Sequence, residues 1–436
     1  MNAVKIGLIG LGTVGAGTLE ILQRNSRDIA GRAGRDIRVT RAAVQNLAKQ
    51  RMVDTTGIEL TDDPMQVVND PDIDIVVELI GGDGIAREVV LRAIENGKHV
   101  VTANKALIAL HGNHIFEKAQ EKGLMVAFEA AVAGGIPIIK SLREGLSANR
   151  IQWLAGIING TCNYILTRME QDGLDFSEVL KEAQSLGYAE ADPTFDIEGI
   201  DAAHKLTILA SIAFGIPLQF DKVYVEGITG VTIDDIRYAG ELGFRIKHLG
   251  IARRNQDGIE LRVHPALIPE QRLIANVDGV MNAALVMADA VGPTLYYGAG
   301  AGAEPTGSAV VADIVDVVRA LTSDPNNRVP HLAFQPGSLA ALPIMHIGQV
   351  ETAFYLRMSV INRPGVLAAI TRIFGDSEIS IATILQKGHD AKGKEVTIIM
   401  LTQVTPGNYM SNAVEQIEKL DAVTSKITAI RLENLA

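Results

Sequence analysis

The sequence has one cysteine, no run of basic residues longer than two, and no uninterrupted apolar stretch of the ~18–20 residues that a bilayer span needs. Cys162 alone cannot close an internal disulfide. The N-terminal MNAVKIGLIGLGTVG has glycine where a secretory leader needs a compact apolar segment and a small-residue cleavage site, so a cytoplasmic protein is expected. With 40 basic against 51 acidic side chains the net charge is −11, and the electrostatic footprint for a phosphodiester backbone is missing. Neither a nucleic-acid nor a membrane partner is expected. Glycine (42) and proline (15) together fall well below the ~25–30% share that marks low-complexity chains, and no repeat of fixed period is visible. The 436 residues, 47% apolar and 21% charged, make a folded globular chain. At about 150 residues per domain, two or three domains are expected.

Residues 4–9 (VKIGLI) are β-rich and run into a glycine turn, after which TLEILQR carries apolar residues at helical spacing. Further strands are expected at 37–44, 74–79, 98–102 and 124–128, with helices at 84–96 and 106–121. Alternation of this kind implies an α/β, Rossmann-type, doubly wound parallel sheet. From about residue 134 the pattern changes to a strand-like RIQWLAGII and helices around 160–171 and 176–187. Val, Ile and Tyr runs follow at 222–230, 244–250, 259–264 and 280–298, without long helices, which predicts an α+β segment with an antiparallel or mixed sheet. Residues 323–350 hold four prolines and little periodicity, and read as a linker before a small third domain at 351–436.

Gly10, Gly12 and Gly15 have the spacing of a dinucleotide-binding turn, in which the first glycine bends the chain, the second admits the pyrophosphate and the third lets helix and strand pack closely. The helix that follows aims its unpaired N–H groups at the phosphates, with Thr13 and Val14 first in line. The second strand ends at Ala43-Val44-Gln45-Asn46 without the carboxylate that would hold the ribose 2′-hydroxyl of NAD, and Lys49 and Arg51 follow, which favours NADP modestly over NAD. A second glycine-rich segment, Gly298 to Ser308, precedes the helical run AVVADIVDVVRAL. It is either an ordinary capped turn or a loop that closes over the cofactor.

Residues 187–196 place three carboxylates in a loop, and Asp201 and Lys205 then stand four apart on an otherwise apolar helix. A charged pair there is either a satisfied buried ion pair or a catalytic site, because burying an unpaired charge is expensive. Lys205 is a candidate acid, and Asn104-Lys105 follows a strand at the end of the sheet where doubly wound folds bind ligands. Cys162 is either a buried thiol or the nucleophile of a cysteine-dependent semialdehyde dehydrogenase.

These segments together resemble the homoserine dehydrogenase family. GLGTVG, VELIGG, VTANKALI, FEAAVAGGIPII, GIINGTCNYILT, GYAEADPTFDIEGIDAAHKLTILA and GAGAEPTGSAVVADI stand in the family's order over about residues 4–322. The resemblance implies reversible NADH- or NADPH-dependent reduction of L-aspartate 4-semialdehyde to L-homoserine, on the route to threonine, methionine and isoleucine. It implies Lys205 as proton donor, Glu190 and Asp201 as substrate ligands, and Lys105 as a group touching cofactor and substrate. Gly187 and Gly302 match cofactor-contacting glycines. Glu129, Val132, Gly134 and Ile136 match a monovalent cation site, usually Na⁺, with several ligands being backbone carbonyls. Many NADP-using relatives carry Arg near the position of Gln45, and this chain does not.

Residues 354–388 and the later VTIIMLTQV are similar to an ACT domain, a βαββαβ module, with Asn362, Arg363, Pro364 and Gly365 in the turn before its first helix. By resemblance it senses threonine and holds protomers together in a homodimer or homotetramer. The organisation expected is a dinucleotide domain at 1–133 with a return segment 303–322, a catalytic and dimerisation domain at 134–302, a linker at 323–350 and the ACT domain at 351–436. Since the nucleotide fold is expected from residue 4, a monofunctional enzyme is expected. A non-catalytic amino-acid sensor is the alternative from another class.

Overall fold

The computed structural model describes residues 3–325, 328–387 and 394–435. The chain forms two compact units, one of residues 1–160, 201–223 and 280–342, the other of residues 161–200, 224–279 and 343–436.

The first unit is built on six parallel strands: β1 (Val4–Ile9), β2 (Ile37–Ala43), β3 (Glu59–Thr61), β4 (Ile75–Glu78), β5 (His99–Thr102) and β6 (Val126–Ala127). Their order, β3-β2-β1-β4-β5-β6, is that of a doubly wound dinucleotide-binding sheet, the α/β fold expected. Strands β4 and β5 (IVVE, HVVT) are buried throughout, as befits parallel strands covered on both faces. The helices Thr13–Arg24, Ile85–Glu95 and Lys105–Glu121 carry the crossovers. The late helix Ala303–Ala320 returns to this unit, and its Val310, Ile314 and Val317 share a core with Val4, Ile6 and Leu8. It crosses the first helix closely because neither side carries bulk: a Cβ on Gly17 would lie 2.3 Å from the Ala303 carbonyl oxygen, and one on Gly307 would lie 2.8 Å from the Thr18 nitrogen.

A three-stranded antiparallel patch, Ile151–Ile157, Met281–Ala288 and Gly292–Ala299, also belongs to the first unit, as does most of the apolar helix Ile200–Phe214. The stretch read as a linker is not a free tether. Leu332 is buried, His331 Nε2 accepts a hydrogen bond from the Val126 N–H, and Ala340 N–H donates to the Gly215 carbonyl. Residues 326–327 of that stretch lie outside the described residues.

The second unit contains the helices Thr161–Asp172 (continued from Gly160) and Phe176–Ser185, the antiparallel pair Phe244–Arg254 and Ile259–Pro269, and a βαββαβ module. The module runs through strand Glu351–Ile361, helix Val366–Asp376, strands Ile381–Lys387 and Glu395–Thr402, helix Gly407–Glu418 and strand Thr428–Leu432. Its last strand pairs with Glu351–Ile361 and also, in parallel, with Ile259–Pro269. Two expectations are corrected here. Residues 222–230 contribute only the short strand Tyr224–Val225, and a nine-residue helix, Ile233–Glu241, stands between the runs expected as sheet, where no helix was expected. The capping box of Thr232 and Asp235 starts that helix and is readable in the sequence as T-x-x-D.

Candidate active site

Strands β1 and β5 run parallel, so their carboxyl ends share one edge of the sheet. β1 delivers the glycine turn to that edge. Gly10 takes φ +102° and donates its N–H to the Ala43 carbonyl at the end of β2. A Cβ on Gly15 would lie 2.1 Å from the Gly10 carbonyl oxygen, so this glycine is what lets the helix pack on its own turn. A Cβ on Gly12 would meet nothing, and Gly12 and Thr13 are exposed: the open side of the turn faces solvent. The helix opens with no side-chain cap and no acidic residue in its first turn, leaving the N–H groups around Thr13 and Val14 to a ligand. The residues fit a dinucleotide pyrophosphate. Gln45, two residues past β2, is exposed, and Arg51 donates to the Asn46 carbonyl.

β5 delivers the lysine. Thr102 is buried and donates to Glu78 Oε2, while Glu78 Oε1 accepts the N–H groups of Ile80 and Gly81, fixing the loop after β4. Asn104 caps the next helix by accepting the Leu107 N–H and ties itself to that loop through Gly82 O, which sets Lys105 at the helix start. Lys105 Nζ lies 3.0 Å from Asp201 Oδ1. On the helix Ile200–Phe214, Lys205 Nζ donates to Asp201 Oδ2 at 2.7 Å and to the Ile158 carbonyl at 2.8 Å, and Asn159 Nδ2 donates to Asp201 Oδ2 at 2.8 Å. Asp201 is 2% exposed. Burial alone would raise its pKa, but Lys205, Lys105 and the hydrogen bonds hold it well below the ordinary carboxylate range. His204, packed on Phe220, is pushed down to about 4, chiefly by burial and also by the two lysines, so its ring is neutral.

The structure thus joins three of the expected residues, Lys105, Asp201 and Lys205, around one carboxylate. Glu190 and Gly187 stand on the second unit, both exposed, and the Glu190 carbonyl is held by the Gln184 amide. Glu78, Thr102 and Asn159 are site residues that sequence reasoning did not single out. Asn104, read there beside Lys105, turns out to be the cap that sets it.

The FEAAVAGGIP loop packs on the second glycine-rich segment. Gly135 N–H donates to the Ala299 carbonyl, and a Cβ on Gly134, at φ +48°, would lie 2.5 Å from Gly300 O. Glu129 is buried, and its two carboxylate oxygens accept the N–H groups of Ile139 and Lys140. Burial pushes its pKa up to about 7 against those hydrogen bonds. Val132 and Ile136 are buried alongside. One carboxylate plus carbonyls is a donor set of low charge, and among the described residues no group of three His, Cys, Asp or Glu forms a metal cluster. Gly302 is the residue before the helix Ala303–Ala320, which begins without a side-chain cap.

Cys162 is fully buried in the second unit, with its Sγ on the Asp196 carbonyl, in the manner of a structural thiol. No helix among the described residues is long and apolar enough to cross a membrane.

Comparison with known proteins divides the chain into three stretches. A family model described as "Homoserine dehydrogenase" matches residues 137–315, one described as "Homoserine dehydrogenase, NAD binding domain" matches 10–129, and one described as "ACT domain" matches 354–422. The chain is 60% identical over 435 residues to a homoserine dehydrogenase of Pseudomonas aeruginosa and 53% identical over 436 to one of Neisseria gonorrhoeae, covering 100% of both proteins in each case. Among solved structures, a homoserine dehydrogenase from Thiobacillus denitrificans superposes with a TM-score of 0.96 at 65% identity, covering 100% of this chain and 99% of that one. A hyperthermophilic archaeal homoserine dehydrogenase in complex with NADPH gives 0.62 at 27% identity, over 72% of this chain and 97% of that one.

Proposed function

The chain belongs to the homoserine dehydrogenase family, a family of NAD(P)-dependent oxidoreductases, and from that premise we propose how its residues divide the work. The observation that carries the reading is the Asp201 carboxylate clamped between Lys105 and Lys205 at the carboxyl edge of a dinucleotide-binding sheet. The reaction is the reversible reduction of L-aspartate 4-semialdehyde to L-homoserine, with the nicotinamide ring, when bound, supplying the hydride to the aldehyde carbon. Lys205 acts as proton donor to the aldehyde oxygen. An ammonium has three N–H groups, and two of those on Lys205 go to Asp201 and Ile158, which aims the third. Asp201 pairs with both lysines and, with Glu190, suits the amino end of the substrate. Lys105, with a side chain 36% exposed, is the lysine that reaches cofactor and substrate.

Gly10, Gly12, Thr13, Val14 and Gly15 hold the pyrophosphate, with Gly187 and Gly302 as further cofactor contacts. NADP is favoured modestly over NAD: the end of β2 has no carboxylate, Lys49 and Arg51 stand close in sequence, and the archaeal relative is named with NADPH. A monovalent cation, Na⁺, is held by Glu129, Val132, Gly134 and Ile136. The carboxylate of Glu129 is occupied with two N–H groups, so carbonyl oxygens carry most of the coordination. The ACT domain takes threonine as effector and holds protomers together in a homodimer or homotetramer, as the resemblance implies, and the single cysteine suits a cytoplasmic enzyme. Following absorbance of reduced coenzyme with L-homoserine, in sodium and in sodium-free buffer, tests the reading. Faster turnover with NADP⁺ than NAD⁺, and loss on sodium removal, are expected. No turnover with either coenzyme would overturn it.

A further inference from the structure

Asn282 is 1% exposed, and among the described residues neither its side-chain oxygen nor its side-chain nitrogen has a hydrogen-bond partner. A buried donor and a buried acceptor left unmade keep the cost of leaving water without the compensation of a partner. Native interiors satisfy nearly all such groups, so an orphaned amide calls for an explanation.

Its surroundings supply one. Asn282 lies at the start of strand Met281–Ala288, paired in register with Gly298. Its amide occupies the space that a side chain at position 300 would need: a Cβ on Gly300 would fall 2.2 Å from its Cγ and Nδ2 and 2.4 Å from its Oδ1. On the other side a Cβ on Gly160 would come within 3.7 Å of Oδ1. The amide therefore bridges two loops of the first unit. One is the Ile158-Asn159-Gly160 turn, whose Ile158 carbonyl and Asn159 amide hold Lys205 and Asp201. The other is the glycine-rich segment that ends at Gly302.

We propose that Asn282 recognises the carboxamide of the coenzyme's nicotinamide ring. The inference rests on the coenzyme reading given above. A primary amide presents one donor and one acceptor side by side, and the group that answers both at once is a second primary amide in the opposite sense. A ring that delivers hydride to a carbon whose oxygen is protonated by Lys205 must sit beside Lys205. The Gly160 turn connects that place to Asn282. Gly300, lacking a side chain, covers the amide with backbone alone, and that backbone would have to shift for the coenzyme to reach it. Asn282 would thus fix which face of the ring meets the substrate, a specificity role beyond the pyrophosphate grip of the glycine turn.

The test is equilibrium binding of the oxidised coenzyme and of its 3-acetylpyridine analogue, in which a methyl group replaces the amide nitrogen, to wild type, Asn282→Ala and the isosteric Asn282→Asp. Binding is read by calorimetry without substrate. Wild type is expected to prefer the natural coenzyme about tenfold, the worth of a buried hydrogen bond of about 1.4 kcal/mol. In Asn282→Ala the preference collapses toward one, and affinity for the analogue falls too, because its acetyl oxygen also loses the Asn282 N–H. Asn282→Asp keeps the acceptor that the carboxamide N–H needs and retains part of the preference, which covers the case in which the alanine variant fails to fold. Equal affinity of wild type for the two coenzymes overturns the assignment, as does a preference untouched by Asn282→Ala, which would leave the amide to an internal water. Failure of wild type to bind either coenzyme would instead count against the coenzyme reading itself.

Discussion

Lys205 and Asp201 stand one helical turn apart, with Nζ and Oδ2 separated by 2.7 Å, and the other oxygen of the same carboxylate faces Lys105 at 3.0 Å. One anion thus neutralises two cations brought from distant parts of the chain. The consequences can be measured one by one.

Replacing Asp201 by Asn removes the anion and leaves two neighbouring ammonium groups facing an amide. Removing one partner of a buried pair costs about 3–5 kcal/mol, so chemical unfolding should show a loss of that order, together with a large fall in kcat. The sign with pH follows from the depressed pKa. The carboxylate's contribution is fully present above its unfolded value of 3.8 and is lost as pH falls below it. Wild-type stability should therefore drop more steeply than that of Asp201→Asn on the acid side of pH 4. Parallel acid limbs in the two proteins would remove this pair from the ledger.

The glycine turn separates packing from binding. Gly15→Ala pushes a methyl into the Gly10 carbonyl and should destabilise the fold by about 1–3 kcal/mol. Gly12→Ala meets no protein atom, so its melting temperature should match wild type while its Kd for coenzyme rises tenfold or more. Unchanged coenzyme affinity in Gly12→Ala would mean that the pyrophosphate lies elsewhere.

Acid should also loosen the far edge of the parallel sheet. His99 Nδ1 accepts the Met125 N–H, and burial lowers the pKa of this ring to about 4; His331, which accepts the Val126 N–H, is lowered likewise. Both folded values lie below the unfolded 6.5, so the stability these neutral rings contribute is complete above pH 6.5 and erodes as pH falls toward 4. For His99 alone the expected loss at pH 5 is about 2 kcal/mol. Urea midpoints at pH 7.5 and 5 should differ less in His99→Gln than in wild type. An equal difference would contradict the buried, neutral state of the ring.

What was legible in the sequence was local. The glycine turn and the Asp201 and Lys205 pair each lie within a short window, where spacing translates directly into geometry, while the βαββαβ order of the last segment was legible only through its resemblance to an ACT domain. The partners of Asp201 on other segments, Lys105 and Asn159, were beyond spacing because the fold alone brings them in. Glu129 could be read as a charged residue near a cation loop, but not as the acceptor for Ile139 and Lys140, which depends on how the chain turns at Pro137. The 323–350 stretch lacked periodicity because it is held by isolated anchors, Leu332 and His331 among them, and irregular backbone leaves no period to detect. Helix Ile233–Glu241 was missed although its capping box was in plain view, since the surrounding Val and Ile runs argued for sheet.

The central claim, that Lys205 delivers the proton while the rest of the site binds, is tested most directly by Lys205→Ala, with kcat for homoserine oxidation and Kd for reduced coenzyme measured on one preparation. Lys105 remains to neutralise Asp201 in that variant, so the fold should survive. The account predicts that kcat falls by about 10²–10⁴-fold, the range for loss of a general acid, with coenzyme affinity within about twofold of wild type. A variant that turns over at the wild-type rate would contradict it.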